Sequence, residues 1–285
     1  MIAVAVLRLC LLTATVTALS AHAADKVPDV DSVPHLKERG REEYAKFRSG
    51  ELHRAFAIAP GGAWSWTAQA ASADEAADGA LEACAKQTRQ RCVLYAVDEK
   101  IVFDAKGWPS LWGPYKSKAA AAQAAIGVKP GERFPDVAFK DATGKRQTLK
   151  DWRGKVVVLH FWGSWCSPCR HEMPDLQALR ESLKDRADIA FVLLQSREPF
   201  ALSRAWAEKQ GLRLPLFDSG STGEADAAFT LSDGSKIADR TVAAQFPSTY
   251  VVDKSGLVVF SHAGAVPKWG EYAAFLRDAA ERSGK

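Results

Sequence analysis

Apolar residues gather into two nearly unbroken runs in the second half of the chain, Val156 to Phe161 (VVVLHF) and Ile189 to Leu194 (IAFVLL). Runs of this length, without polar alternation, read as strands buried on both faces. A helix is predicted after each. The first starts at the cysteines at 166 and 169 and reaches about Leu183; the second covers Phe200 to Gln210 and stops at Gly211. Ser248 to Val252 and Leu257 to Phe260 flank the turn Asp253-Lys254-Ser255-Gly256, and Trp269 to Ala280 makes a last amphipathic helix. The order βαβα, then a β-hairpin and a helix, predicts a mixed sheet covered by helices over residues 128–285.

The first half has a different pattern. Residues 24–50 are polar and charged, with a short helix around Leu36 to Phe47. HRAFAI (53–58), the turn Pro60-Gly61-Gly62 and AWSWTAQA (63–70) read as a hairpin. Ser72 then caps an alanine-rich helix to Lys86, with Asp74 and Glu75 in its first turn. RCVLYAV (91–97) is a further strand and Ile101 to Phe103 another, which gives residues 51–116 the character of a small α+β domain. KSKAAAAQAA (116–125) and the break at Gly127 to Gly131 place a linker at 117–127.

Composition adds little: 47% apolar, 25% charged and a net charge of +4 describe an ordinary globular chain. No basic stripe with interleaved aromatics appears, so no nucleic-acid partner is expected. The N-terminus says more. Arg8 precedes the apolar run Leu9 to Leu19, and Ala21 and Ala23 supply the small residues of a signal-peptidase site. Residues 1–23 are therefore expected to be a cleaved signal peptide, leaving a soluble periplasmic protein with no stable membrane insertion. An uncleaved anchor is the alternative, but Arg8 leaves the run short for a span.

Export changes the reading of the cysteines. Apart from Cys10 in the leader, Cys84, Cys92, Cys166 and Cys169 remain, and an oxidising compartment permits disulfides. Four cysteines allow three pairings; proximity favours Cys84 with Cys92, a structural staple, and Cys166 with Cys169.

Cys166 and Cys169 stand where a buried strand gives way to a helix. A thiol there meets unpaired backbone N–H groups and the positive end of the helix dipole, which favour the thiolate. Cys166 is expected to be the attacking, partly exposed thiol, with Cys169 one turn further on, more buried, resolving the mixed disulfide. A structural zinc site needs four ligands, whereas Cys166, Cys169 and His171 supply three at most, so no metal is expected. A purely structural bridge across two residues closes too small a loop to stabilise much. Redox chemistry accounts for this spacing best, with the cysteine pair itself in place of a cofactor.

From about Val128 onward the chain resembles the TlpA/ResA-like branch of exported thioredoxin-fold proteins. The matching stretches are KPGERFPDVAFKDATGKRQTLKDWRGKVVVLHFW, the active-site WCSPC, RHEMP after it, LPLFD (214–218) and QFPSTYVVDKSGLVVFSHAG (245–264). The resemblance implies an α/β thioredoxin fold for this part of the chain, which the small α+β domain read from pattern precedes. It implies that Pro247 is a cis-proline facing the cysteines and that Phe246 before it orients substrate. Glu172 falls where this branch carries an active-site glutamate able to hold a proton; the plain alternative is a solvated helix residue. Trp162 and Trp165 are expected to line the site. His160 departs from the family pattern; it is expected at a strand end near Cys169, either as a proton acceptor or simply as a buried histidine. The segment 219–244 is longer than the family's and is either a loop on the substrate face or a surface insertion.

The resemblance also implies a reductase acting on cysteine-containing exported proteins (apocytochrome c, copper-site or other oxidised cysteines), fed by a membrane thiol donor. Two alternatives stand beside it. One is a binding adaptor acting through the N-terminal domain. The other is a thiol peroxidase, which would want a proline seven residues before Cys166, where Leu159 stands.

Overall fold

A computed structural model describes residues 29–224 and 227–284. The leader reading of residues 1–23, with Cys10, lies outside them. Helix α1 (Glu38–Ser49) is followed by β1 (Ala55–Ile58), β2 (Trp64–Thr67), α2 (Ala73–Ala85), β3 (Val93–Val97) and β4 (Lys100–Ile101). These strands form an antiparallel sheet in the order β2-β1-β3-β4. Side chains alternate across β1. Ala55 and Ala57 pack with Ala76, Ala80 and Cys84 of α2, while Phe56 and Ile58 join Tyr44 and Phe47 of α1 in the main core. Alanine and glycine let α2 approach closely: a Cβ on Gly79 would stand 3.1 Å from the Thr67 hydroxyl. Ser72 caps α2 by accepting from the Glu75 N–H. Cys84 and Cys92 are bonded, S–S 1.98 Å, tying the end of α2 to the approach to β3.

Helix α3 (Lys118–Ala122) occupies the region read as a linker. Then come the β5 (Ala138–Lys140) and β6 (Arg146–Thr148) hairpin, β7 (Val156–Trp162), α4 (Ser167–Ser182), β8 (Ile189–Gln195), α5 (Phe200–Lys209) and β9 (Leu216–Phe217). A second hairpin, β10 (Ala228–Thr230) and β11 (Lys236–Ala238), leads into the short α6 (Asp239–Val242). β12 (Ser248–Val252), β13 (Val258–Ala263) and α7 (Ala273–Arg282) complete the chain. The central sheet has the order β13-β12-β7-β8-β9, with β7, β8 and β9 parallel and β12 and β13 antiparallel. Every residue of β7 and β8 is buried, as their unbroken apolar runs require. This is a thioredoxin fold.

One apolar core runs through both halves of the chain. Trp112 stacks on Phe260 at 4.8 Å and His35 on Tyr272 at 4.1 Å. The physical reason is size. A sheet of four short strands with one helix on each side cannot enclose its larger aromatics by itself, so it completes their burial against the C-terminal half.

Candidate active site

β7 and β8 are parallel and in register from Val156↔Ile189 to Trp162↔Gln195, so their C-terminal ends emerge on one edge of the sheet. Ligand and reaction sites of open α/β sheets gather at that edge. There β7 turns through Gly163 to Trp165 into α4, and Cys166 is the N-cap, its sulfur accepting the Cys169 N–H at 3.2 Å. Pro168 sits within the first turn, where its missing N–H costs no helical bond. Cys166 and Cys169 are bonded, S–S 2.04 Å. Cys169 is fully buried and Cys166 keeps 4% of its surface. The expectation of a partly exposed Cys166 is thus corrected for the oxidised state. Its sulfur is turned inward, toward a partner that lies wholly in the core.

The two tryptophans part company. Trp162 is a core side chain, fully buried, its ring 5.7 Å from Trp206 of α5. Trp165 is 47% exposed and donates its indole N–H to the Ser196 carbonyl at 2.9 Å. Its ring meets Phe246 edge-on at 5.2 Å. The Phe246–Pro247 peptide is cis. The residue before Cys166 therefore touches the residue before the cis-proline, which brings the cysteine turn and the start of β12 together.

Other groups at this edge were not visible in the sequence. The guanidinium groups of Arg197 and Arg240 lie 5.4 and 5.8 Å from the Phe246 ring centre. Arg197 donates to Asp239 at 2.6 Å, both side chains largely buried. Glu198 accepts from the Ser164 N–H and hydroxyl, each at 2.5 Å, and from the Ser203 hydroxyl at 2.6 Å, clamping the turn before Cys166. Arg197 and Glu198 follow β8 directly, so the parallel pairing of two recognisable strands was the signal that places them here. Asp239 and Arg240 come from the long 219–244 segment. Its hairpin and α6 carry them to the Phe246 face, and no local pattern announces that.

Beneath the surface, Glu172 and His160 form a buried pair. Glu172 stands one turn beyond Cys169 on the buried face of α4, which excludes the solvated alternative. One carboxylate oxygen accepts from the Val266 N–H at 2.9 Å and from the Trp269 indole at 3.0 Å. The other lies 3.5 Å from His160 Nε2. His160, fully buried and two residues inside the end of β7, shares a hydrogen bond between Nδ1 and the Thr249 hydroxyl at 2.9 Å. Burial pushes the Glu172 carboxyl up to about 7, against the two donors and the distant charge of Lys37, with Asp175 adding to the rise. Burial alone pushes the His160 imidazole down to about 3. Both directions favour a neutral pair, so the Glu172 proton faces an imidazole lone pair. That arrangement serves Nε2 and the second carboxyl oxygen, which have no other hydrogen-bond partner.

A bonded cysteine pair at a helix N-terminus, a cis-proline segment beside it and a protonatable carboxyl one turn below make a site for two-electron exchange with a thiol or disulfide. A family model described as Redoxin matches residues 129–276. The chain belongs to the Redoxin family. Among its curated relatives, the thioredoxin-like protein YneN of Bacillus subtilis (strain 168) is 31% identical over 164 residues, 57% of this chain and 84% of that protein. The thiol-disulfide oxidoreductase ResA of Bacillus anthracis is 30% identical over 129 residues, 45% of this chain and 66% of ResA, just short of two thirds. Among solved structures, a putative thiol:disulfide interchange protein DsbE from Chlorobium tepidum is 22% identical, with a TM-score of 0.41, covering 52% of this chain and 94% of that one. This Redoxin-family chain is a thioredoxin-like thiol–disulfide oxidoreductase of the TlpA/ResA-like kind. The family match begins at residue 129 and leaves the N-terminal sheet outside it.

Proposed function

We propose that the chain reduces disulfides of exported, cysteine-containing polypeptides through Cys166 and Cys169. The observation that carries the reading is the Cys166–Cys169 bond at the N-terminus of α4, with the cis Phe246–Pro247 segment in contact through Trp165. In the reduced protein the Cys166 thiolate is stabilised by the helix N-terminus and by the Cys169 N–H. It attacks one sulfur of the substrate disulfide, forming a mixed disulfide and expelling the other as a thiolate. Cys169 gives up its proton and attacks the Cys166 sulfur. The substrate leaves with both cysteines reduced, and the protein is left in the bonded state described above.

Glu172, one turn beyond Cys169 on the buried face of α4, is read as the acceptor of the Cys169 proton in the molecules whose carboxyl is ionised, a form that burial makes substantial only from about pH 7 upward. His160 acts through Glu172 rather than on a sulfur. Phe246 and Pro247 orient the incoming chain, and Trp165 borders it. The two electrons come back from a thiol donor, read as a membrane thiol-transfer protein, and no cofactor beyond the cysteine pair takes part. Apocytochrome c, copper-site and other oxidised cysteines are the substrates proposed, in the periplasm, after removal of residues 1–23. Among the described residues no helix is long and apolar enough to cross a membrane.

Insulin reduction tests this directly. Cys166→Ser is expected to abolish turnover, and Cys169→Ser to trap a mixed disulfide on Cys166. Turnover that survives Cys166→Ser sinks the assignment to this cysteine pair, and a wild type without turnover favours the adaptor reading.

A further inference from the structure

A cleft of about 790 Å³ opens between the N-terminal sheet and the active-site edge of the central sheet. One wall is the loop Lys86 to Arg89, and the other is Ser261 to Ala263 of β13. Three observations give it a ligand chemistry.

The first is an unpaired strand edge. β13 is the outer strand of the central sheet. On its inner side the Gly264 N–H donates to the Pro247 carbonyl at 2.7 Å; on its outer side the Val259 carbonyl accepts from Gly113 at 3.1 Å. Backbone groups alternate along an antiparallel strand. Counted back from Gly264, above the bulge at Val258 and Val259, His262 faces inward and Ser261 and Ala263 face outward, and their N–H and C=O groups have no backbone partner in the outer row among the described residues. They form an open strand edge that faces the cleft.

The second is charge. Lys37, Lys86 and Arg89 line the cleft and no carboxylate does. Lys86 also meets Glu82 at 2.9 Å, while Lys37 and Arg89 make no ion pair among the described residues. The loop is braced at both ends by the Cys84–Cys92 bridge.

The third is position. Ser248, which lines the cleft, follows Pro247 in the chain and pairs with Ala263. A strand added to β13 would lie about 5 Å beyond it, two strand spacings from the cis-proline segment. A polypeptide there has its neighbouring residues within reach of Cys166.

We propose that this cleft docks an extended, acidic segment of the polypeptide substrate, added as a strand to β13 at Ser261 and Ala263 and held by Arg89, Lys86 and Lys37. The proposal rests on the thiol–disulfide reading above. It gives the N-terminal sheet a task, which is to supply the cationic wall of a substrate groove. Strand addition gives affinity through the main chain and leaves selectivity to charge.

The test uses the full chain and a cysteine-free, fluorescein-labelled peptide of alternating glutamate and threonine, followed by anisotropy. Saturable binding is expected. It should weaken about tenfold or more in Lys86→Glu/Arg89→Glu, and by a similar factor when alternate peptide amides are N-methylated. A lysine-for-glutamate peptide should not bind. Equal binding of acidic and basic peptides, indifference to N-methylation or to charge reversal, or no binding at all overturns the docking site. Turnover of bis(2-hydroxyethyl) disulfide is measured on the same samples and is expected to be equal in wild type and variant. Turnover without peptide binding overturns docking alone. Peptide binding without wild-type turnover overturns the oxidoreductase reading, and with it the substrate role of the cleft.

Discussion

Replacing Glu172 by glutamine isolates the cost of burying an acid beneath the cysteines. The carboxyl rises from 4.5 to about 7, chiefly through burial. In the unfolded chain the same group titrates near its ordinary value. The folded state therefore holds the proton more tightly, and folding is penalised wherever the unfolded chain has already lost it. That penalty is absent below about pH 4.5, grows as the pH rises, and levels off above about pH 7. A shift of some 2.5 units corresponds to about 3 kcal/mol.

Three buried histidines work in the opposite sense. His35 and His160 are pushed down to about 3 and His262 to about 4, each mainly by burial, so they cost stability as the pH falls below 6.5. Wild type alone would blend these effects. The difference between Glu172→Gln and wild type removes the histidine part. The glutamine carbonyl still accepts from Val266 and Trp269, and its NH2 donates to the neutral His160 Nε2. Urea unfolding of the oxidised proteins, from pH 4.5 to 8, is the assay. The variant should gain about 3 kcal/mol on wild type across that range, with most of the change between pH 5 and 7. Parallel stability curves would refute a buried, proton-holding Glu172.

Other expectations are simpler. Removing the Cys84–Cys92 bridge, which closes a loop of sequence separation 8, should cost about 2–3 kcal/mol by loop-closure entropy, read as a lower urea midpoint with insulin reduction retained. Asp239→Asn removes the nearer of two carboxylates that pair with the largely buried Arg197 and leaves the exposed Glu224 at 3.7 Å; a loss of about 2 kcal/mol is expected, together with a higher KM for polypeptide disulfides and little change for a small disulfide. An unchanged KM would detach Arg197 and the 219–244 segment from substrate handling.

Local pattern made the strands beside the cysteines legible. β7 and β8 are buried on both faces, so their composition leaves no alternative but a covered sheet, and the cysteine spacing at the end of β7 names the chemistry. The same logic failed where exposure depends on neighbours. Trp162 and Trp165 look alike in sequence, yet one fills the core against Trp206 and the other stands beside Phe246. His160 sits inside a strand that reads as apolar, and nothing nearby in the chain shows that its partner is Glu172 on the following helix.

By itself, the amino-acid order determined the period of each element, the helix start at Cys166 and the small loops that the cysteine pairs close, because each depends on residues a few positions apart. The tertiary structure alone decided the proton pair beneath Cys169, the arginines over Phe246 and the cleft against the N-terminal sheet. Those depend on groups carried by different elements, and their burial and spacing exist only once those elements have packed together.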